Sequence, residues 1–173
     1  PQQDGGQWDM VVALFQKYGV VPKDIYPESI SSSASRELDQ YLNKILRQDA
    51  QILRDLIQNG VDVAAKKAEL LQEIFNYLAM TLGLPPQKFD FEYRDKDDQF
   101  HKFEDITPQA FYEKFVDIKL DDYVSVINAP TTDKPYNKSY TVEFLGNVIG
   151  ARDVRHLNVE MDRFKKLAIA QMQ

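Results

Sequence analysis

Apolar residues recur along this chain in two rhythms, one of period near 3.6 and one of period two. Trp8, Val11, Val12 and Phe15 fall at i, i+3, i+4 and i+7, and Leu14 and Tyr18 widen the stripe. That is the pattern of a helix burying one face, predicted over 7–18. Gly19 stands where a left-handed C-terminal cap is expected, and Pro22 forbids continuation. A serine-rich link, Ile30 to Ala34, follows, with Ser33 or Ser35 as a candidate N-cap. Leu38, Tyr41, Leu42, Ile45, Leu46, Ile52, Leu53, Leu56 and Ile57 then predict a long amphipathic helix over 35–58. Asp49 falls inside its stripe, which places it at an edge paired with a basic residue. Asn59-Gly60 ends the helix and Asp62 starts the next, predicted over 62–82 from Leu70, Leu71, Ile74, Phe75, Leu78 and Leu82. So short a link implies an antiparallel pair with Leu42, Leu46, Leu53, Leu71, Phe75 and Leu78 buried.

Period two takes over at Phe89-Asp90-Phe91-Glu92-Tyr93, a half-buried strand, with Phe100 to Phe103 returning as its hairpin partner. Thr107-Pro108 opens a helix over 108–116, with Ile106 and Phe111 spaced as a hydrophobic staple. Tyr123 to Ile127, then Tyr140, Val142 and Phe144, then Val154 to Val159 read as further strands. Gly146 and Gly150 bracket a turn, and a closing helix is predicted over 160–172. The class is α+β, mostly helical.

Composition narrows the function. The chain has 173 residues, 43% hydrophobic and 28% charged, with a net charge of −6. That supports one real core and argues against nucleic acid as partner, which wants clustered Lys and Arg. No apolar run is long enough to span a membrane. With no cysteine, disulfides and thiolate chemistry within the chain are excluded, which is compatible with a cytoplasmic origin. The two histidines, His101 and His156, have no visible nucleophile partner. No serine lies in a G-x-S-x-G elbow, and the carboxylates single out no pair. Asp95, Asp97 and Asp98 invite a calcium loop, but its sixth and twelfth positions hold Phe100 and Ile106 instead of Gly and Glu. No catalytic residue, metal site or cofactor is therefore assigned.

Asp4-Gly5-Gly6-Gln7 remains as candidate chemistry. On spacing alone, Asp4 is an N-cap with Gln7 reaching back, as in a capping box. The two glycines also leave a stretch of backbone that another chain can approach closely. The longer string, Asp4-Gly5-Gly6-Gln7-Trp8-Asp9-Met10, then Lys17-Tyr18-Gly19-Val20 and Tyr26-Pro27, resembles the papain-like cysteine peptidases. It is similar in particular to their bleomycin hydrolase and aminopeptidase C branch. Phe91-Glu92-Tyr93-Arg94-Asp95-Lys96-Asp97, Ile106-Thr107-Pro108, Phe111-Tyr112, Lys134-Pro135-Tyr136-Asn137-Lys138 and Tyr140-Thr141-Val142-Glu143-Phe144-Leu145 carry the same likeness.

The resemblance implies a parent enzyme that is a cytoplasmic thiol protease, removing N-terminal residues from peptides and assembled as a homohexamer. Its catalytic Cys, His and Asn would lie outside this chain, so the peptide substrate and the remainder of the parent chain are the implied partners. Gly5 and Gly6, with Asp4, would line the substrate cleft and pair with substrate backbone. Residues 1–29 would then belong to the helical subdomain of the papain-like fold, 30–159 to a helical and hairpin insertion, and 160–173 to a helix returning to the core. The opening at Pro1 and the end inside a predicted helix at Gln173 are read the same way, as an internal segment. A reading of a different class also stands: a self-sufficient helical interaction module, inactive as a catalyst, binding through its amphipathic hairpin.

Overall fold

The computed structural model describes residues 5–116 and 118–172. It is α+β, with helix making up close to half of the chain. The chain divides into two compact units, one built from residues 1–5 and 21–89, the other from 6–20 and 90–173.

The first unit is a helical hairpin. The serine-rich stretch is not a plain link: Ile30–Ser33 form a single helical turn, α2, capped by Ser29, whose Oγ accepts from the Ser32 N–H at 3.1 Å. Ser35, one of the two serines favoured by sequence, holds the N-cap position of the long helix that follows, and Ser29 is the cap of this extra turn. Helix α3 spans Arg36–Gln58 and α4 spans Ala64–Leu82. Tyr41 near the start of α3 meets Tyr77 near the end of α4, ring centroids 4.5 Å apart, which fixes the pair as antiparallel. Asp62, expected as the N-cap of α4, stands one residue ahead of the actual cap position, Val63, but its Oδ1 accepts from Ala64 N–H at 3.1 Å. At the other end Tyr26 Oη donates to the Leu82 and Gly83 carbonyls at 3.0 and 3.1 Å, satisfying acceptors that the helix leaves open.

The buried set of this hairpin differs from the expected one. Leu38, Leu42 and Leu70 are buried, whereas Leu46 is exposed and Leu71 and Phe75 keep 54% and 53% of their surface. Leu53 and Leu78 are half-buried. Two helices cover only one stripe of each other, so an apolar face wider than that stripe stays uncovered. Asp49 is buried in the stripe instead of paired at its edge, and its Oδ2 has no hydrogen-bond partner among the described residues.

The second unit carries helix α1, Trp8–Tyr18, and everything from β1 onward. Strands β1 (Phe89–Arg94) and β2 (Phe100–Ile106) form a two-stranded sheet, and a link this short between them permits only an antiparallel hairpin. Alternation puts Phe91 and Tyr93 on one face with Phe103, where helix α5, Pro108–Phe115, covers them. Phe91 meets Phe111 and Phe115 at 4.8 and 5.0 Å, and Phe103 meets Phe115 at 5.2 Å, mostly edge to face. Thr107 caps α5 as predicted, its Oγ1 accepting from Ala110 N–H at 3.2 Å.

Helix α1 lies on α5. Phe15 packs on Tyr112, and Gln109 Nε2 donates to the Lys17 carbonyl at 3.2 Å. Val20 N–H donates to the Pro108 carbonyl at 3.1 Å. Gly19 makes this crossing possible, with φ 73° and ψ −161°, a backbone region essentially reserved for glycine. It is thus a glycine cap of positive φ, though outside the left-handed helical well. A Cβ there would stand 2.1 Å from the Pro108 carbonyl carbon.

A three-stranded sheet completes the unit in the order β3 (Ser125–Ile127), β5 (Arg155–Asn158), β4 (Lys138–Thr141). β5 runs parallel to β3, Val126 opposite Leu157, and antiparallel to β4, Ser139 opposite Leu157. Val154 and Val159, flanking the central strand, are buried. The strand expected through Val142 and Phe144 ends at Thr141; both apolar residues are exposed, and Phe144 takes φ 60°. Alternation alone misled here because positive φ breaks the pleat. Helix α6, Met161–Gln171, closes the chain.

Candidate functional site

Gly5 and Gly6 form the extended lead into α1, and both are exposed. Among the described residues, a Cβ on Gly5 would meet nothing within 4 Å, and one on Gly6 would meet only Met10, its Sδ at 3.4 Å. Neither glycine is required by crowding or by positive φ, unlike Gly19. Asp4 lies outside the described residues. The cap of α1 is Gln7, not Asp4: Gln7 is extended, its carbonyl accepts from Met10 N–H at 3.0 Å, and its own N–H points at Met10 Sδ at 3.4 Å. Gln7, expected as the partner of a cap, is the capping position itself.

A cluster that no sequence motif singles out is built on the first turn of α1. Asp9, in the first turn of α1, is 5% exposed. The expected buried stripe of α1 is correspondingly narrower: Val12 and Ala13 are buried, while Trp8 and Val11 stay substantially exposed. Asp9 Oδ1 pairs with Arg152 Nη2 at 2.8 Å, and its Oδ2 accepts from the Arg155 backbone N–H at 3.0 Å. Arg152 Nη1 also reaches Asp121 Oδ1 at 3.1 Å, and the same Asp121 oxygen accepts from Gln16 Nε2 at 3.0 Å. Asp121 sits in a short 3-10 turn, Leu120–Asp122. A carboxylate at the first turn of a helix is favoured by the helix dipole, so Asp9 suits its position twice over. Asp9, Asp121, Arg152 and Arg155 border a cavity of about 310 Å³, with Ser125 and Ser139 on its far walls.

A second buried polar centre is Asn158, fully enclosed at the end of β5. Its Oδ1 accepts from Ala129 N–H at 2.8 Å, and its Nδ2 donates to the carbonyls of Ala129 and Lys134 at 3.0 and 2.7 Å. These bonds fasten the loop after β3 to the sheet. Neither Asp9 nor Asn158 is flagged by a motif; the available signal was a polar residue inside an apolar period, which Asp9 shows between Trp8 and Val12.

The two histidines stand in different settings. His101 stacks on Tyr93 and its Nε2 lies 2.8 Å from Asp95 Oδ2. That hydrogen bond is the main reason the Asp95 carboxyl sits below its ordinary range, with the Gln99 backbone N–H adding to it. Asp95 also accepts from Asp97 N–H at 2.9 Å, so the acidic hairpin turn is organised around its own amides. His156 is half-buried in β5, opposite Ser125 and Tyr140. Among the described residues no three His, Asp or Glu side chains are grouped to hold a metal ion, and no helix is long and apolar enough to cross a membrane.

This chain, which contains no cysteine, is similar over its whole length to known peptidases. The sequence is 74% identical to an aminopeptidase C of Streptococcus thermophilus, covering all of this chain and 40% of that protein. It is 38% identical to the bleomycin hydrolase of Mus musculus, again across the whole chain and 39% of the relative. A crystal structure of pepw from Lactobacillus rhamnosis superposes with a TM-score of 0.94 at 56% identity, covering 99% of this chain and 39% of that one. The chain thus spans about 40% of the length of the relatives it matches. The model of the Peptidase C1-like family matches residues 1–173, and the chain belongs to that family.

Proposed function

We propose that this chain is an internal segment of a cytoplasmic cysteine aminopeptidase that removes N-terminal residues from peptides. The observation that carries the reading is the full-length likeness to aminopeptidase C in a chain without any cysteine. The thiolate that attacks the carbonyl, and the His that serves it first as base and then as acid, belong to the remainder of the parent. This segment contributes the Gly5-Gly6 backbone edge, along which substrate main chain pairs without its side chains being read. Residues 30–159 form the helical and hairpin insertion and 160–173 the helix returning to the peptidase core. The exposed, uncrowded state of both glycines supports the edge assignment, since nothing in the second unit needs Gly6 to be a glycine. Assembly of the parent as a homohexamer belongs to the same proposal.

The test is an assay of this chain and of the intact parent with fluorogenic aminoacyl amides. The parent turns them over and loses activity to a thiol alkylating agent; the chain alone shows none. Turnover by the purified chain that disappears on mutating one of its own residues contradicts the proposal.

A further inference from the structure

We infer that Asp9 is a positioning residue for the substrate edge, setting where Gly6 stands relative to the β3-β5-β4 sheet. The inference rests on the reading of Gly6 as substrate wall given above. Asp9 and Gln16 are seven residues apart, two turns along one face of α1. Both are tied to the same pair, Asp9 through Arg152 and Gln16 through Asp121, while Arg152 and Asp121 hold each other. A helix held at one point can rotate about it or slide. Held at two points about 10 Å apart along its axis, at 1.5 Å per residue, it can do neither. The Arg155 N–H adds a bond from the backbone of the central strand to the Asp9 carboxylate. Gly6 lies three residues ahead of Asp9, and the turn between them is closed: Met10 N–H binds the Gln7 carbonyl, and Met10 Sδ meets both the Gln7 N–H and the open side of Gly6. Displacement of the first turn therefore displaces Gly6.

Stability alone is a poor account of the cluster. A buried ion pair is commonly no more stabilising than apolar side chains of similar volume. What an ion pair with two fixed anchors supplies, and an apolar contact does not, is one defined register. For an edge that pairs with a peptide backbone through short hydrogen bonds, register decides binding.

The experiment uses the intact enzyme and measures KM and kcat separately for a fluorogenic aminoacyl amide, below the melting temperature of every variant. Asp9→Leu should raise KM by about tenfold with kcat changed by less than about twofold, the signature of lost uniform binding. Asp9→Asn, which keeps an acceptor for the Arg155 N–H, should fall between it and the wild type. Gln16→Leu, which removes only the exposed anchor and endangers folding least, should shift KM in the same direction by less. Gly6→Val is measured alongside. If Gly6→Val raises KM but neither Asp9→Leu nor Gln16→Leu does, Asp9 and Gln16 are structural and the positioning inference fails by itself. If none of the three moves KM, the wall assignment fails and takes the inference with it. A lower melting temperature in Asp9→Leu with an unchanged KM in Gln16→Leu also overturns it.

Discussion

Replacing Asn158 with alanine removes a buried side chain that ties the loop after β3 to the end of β5, leaving the Asn128 Nδ2 bond to the Val159 carbonyl in place. Three hydrogen bonds go: one accepted from Ala129 N–H and two donated to the Ala129 and Lys134 carbonyls. At about 1 kcal/mol net for each, the loss is roughly 3 kcal/mol. Two corrections act in opposite directions. Asn158 is fully buried and its truncation leaves a small void, which adds to the cost. Ala129 is only half-buried and Lys134 is exposed, so water can reach the freed groups and reduce it. The expected destabilisation is about 2–4 kcal/mol, read as a lowered urea midpoint with unchanged slope in the intact protein. Asn158→Asp refines the test. It retains an acceptor for Ala129 N–H but turns a carboxylate oxygen toward two carbonyls that need a donor, so it should be worse than alanine. An alanine variant within about 0.5 kcal/mol of wild type, or an aspartate variant as stable as wild type, refutes the reasoning.

Two further outcomes follow from local geometry. Gly19→Ala should destabilise by roughly 3 kcal/mol or more, adding a positive-φ penalty to backbone overlap with Pro108. Gly60→Ala, also at positive φ but with nothing within 4 Å, should show only the first part, and equal effects of the two in thermal unfolding contradict the crossing described for α1 and α5. The Asp95 carboxyl, followed by NMR, should titrate below its ordinary value and move back toward it in His101→Ala, since His101 supplies the largest part of the lowering. Because its folded value is depressed, Asp95 steadies the hairpin turn above the ordinary carboxylate range, near pH 4, and that contribution fades as pH falls through the lowered value.

The elements were largely legible because each carried a strong local signal. Thr107-Pro108 started α5, the Phe91 and Tyr93 alternation built β1, and the stripes of α3 and α4 placed both helices within two residues of their ends. What the sequence did not show was which apolar residues find cover. Leu71 and Phe75 obey the helical period as well as Leu70 does, yet of the three only Leu70 is buried. Periodicity reports that a face is apolar, and says nothing of what meets it. Phe144 failed for a related reason, because the strand pattern assumes a backbone that its positive φ does not follow. At the candidate site, the glycine edge was visible through resemblance. The Asp9, Arg152 and Asp121 cluster was not, since its members are joined only by the fold, across 143 residues from Asp9 to Arg152.

On the proposed function, Gly6 is kept free of a side chain for the sake of substrate and not of folding. The most direct test is kcat/KM and melting temperature of Gly6→Val in the intact enzyme. Among the described residues a side chain there meets only Met10, so the melting temperature should hardly move. Steric exclusion of the peptide backbone, together with one or two lost main-chain hydrogen bonds, should lower kcat/KM by more than about tenfold. Gly6→Val that melts early and yet shows normal kinetics when folded contradicts the account.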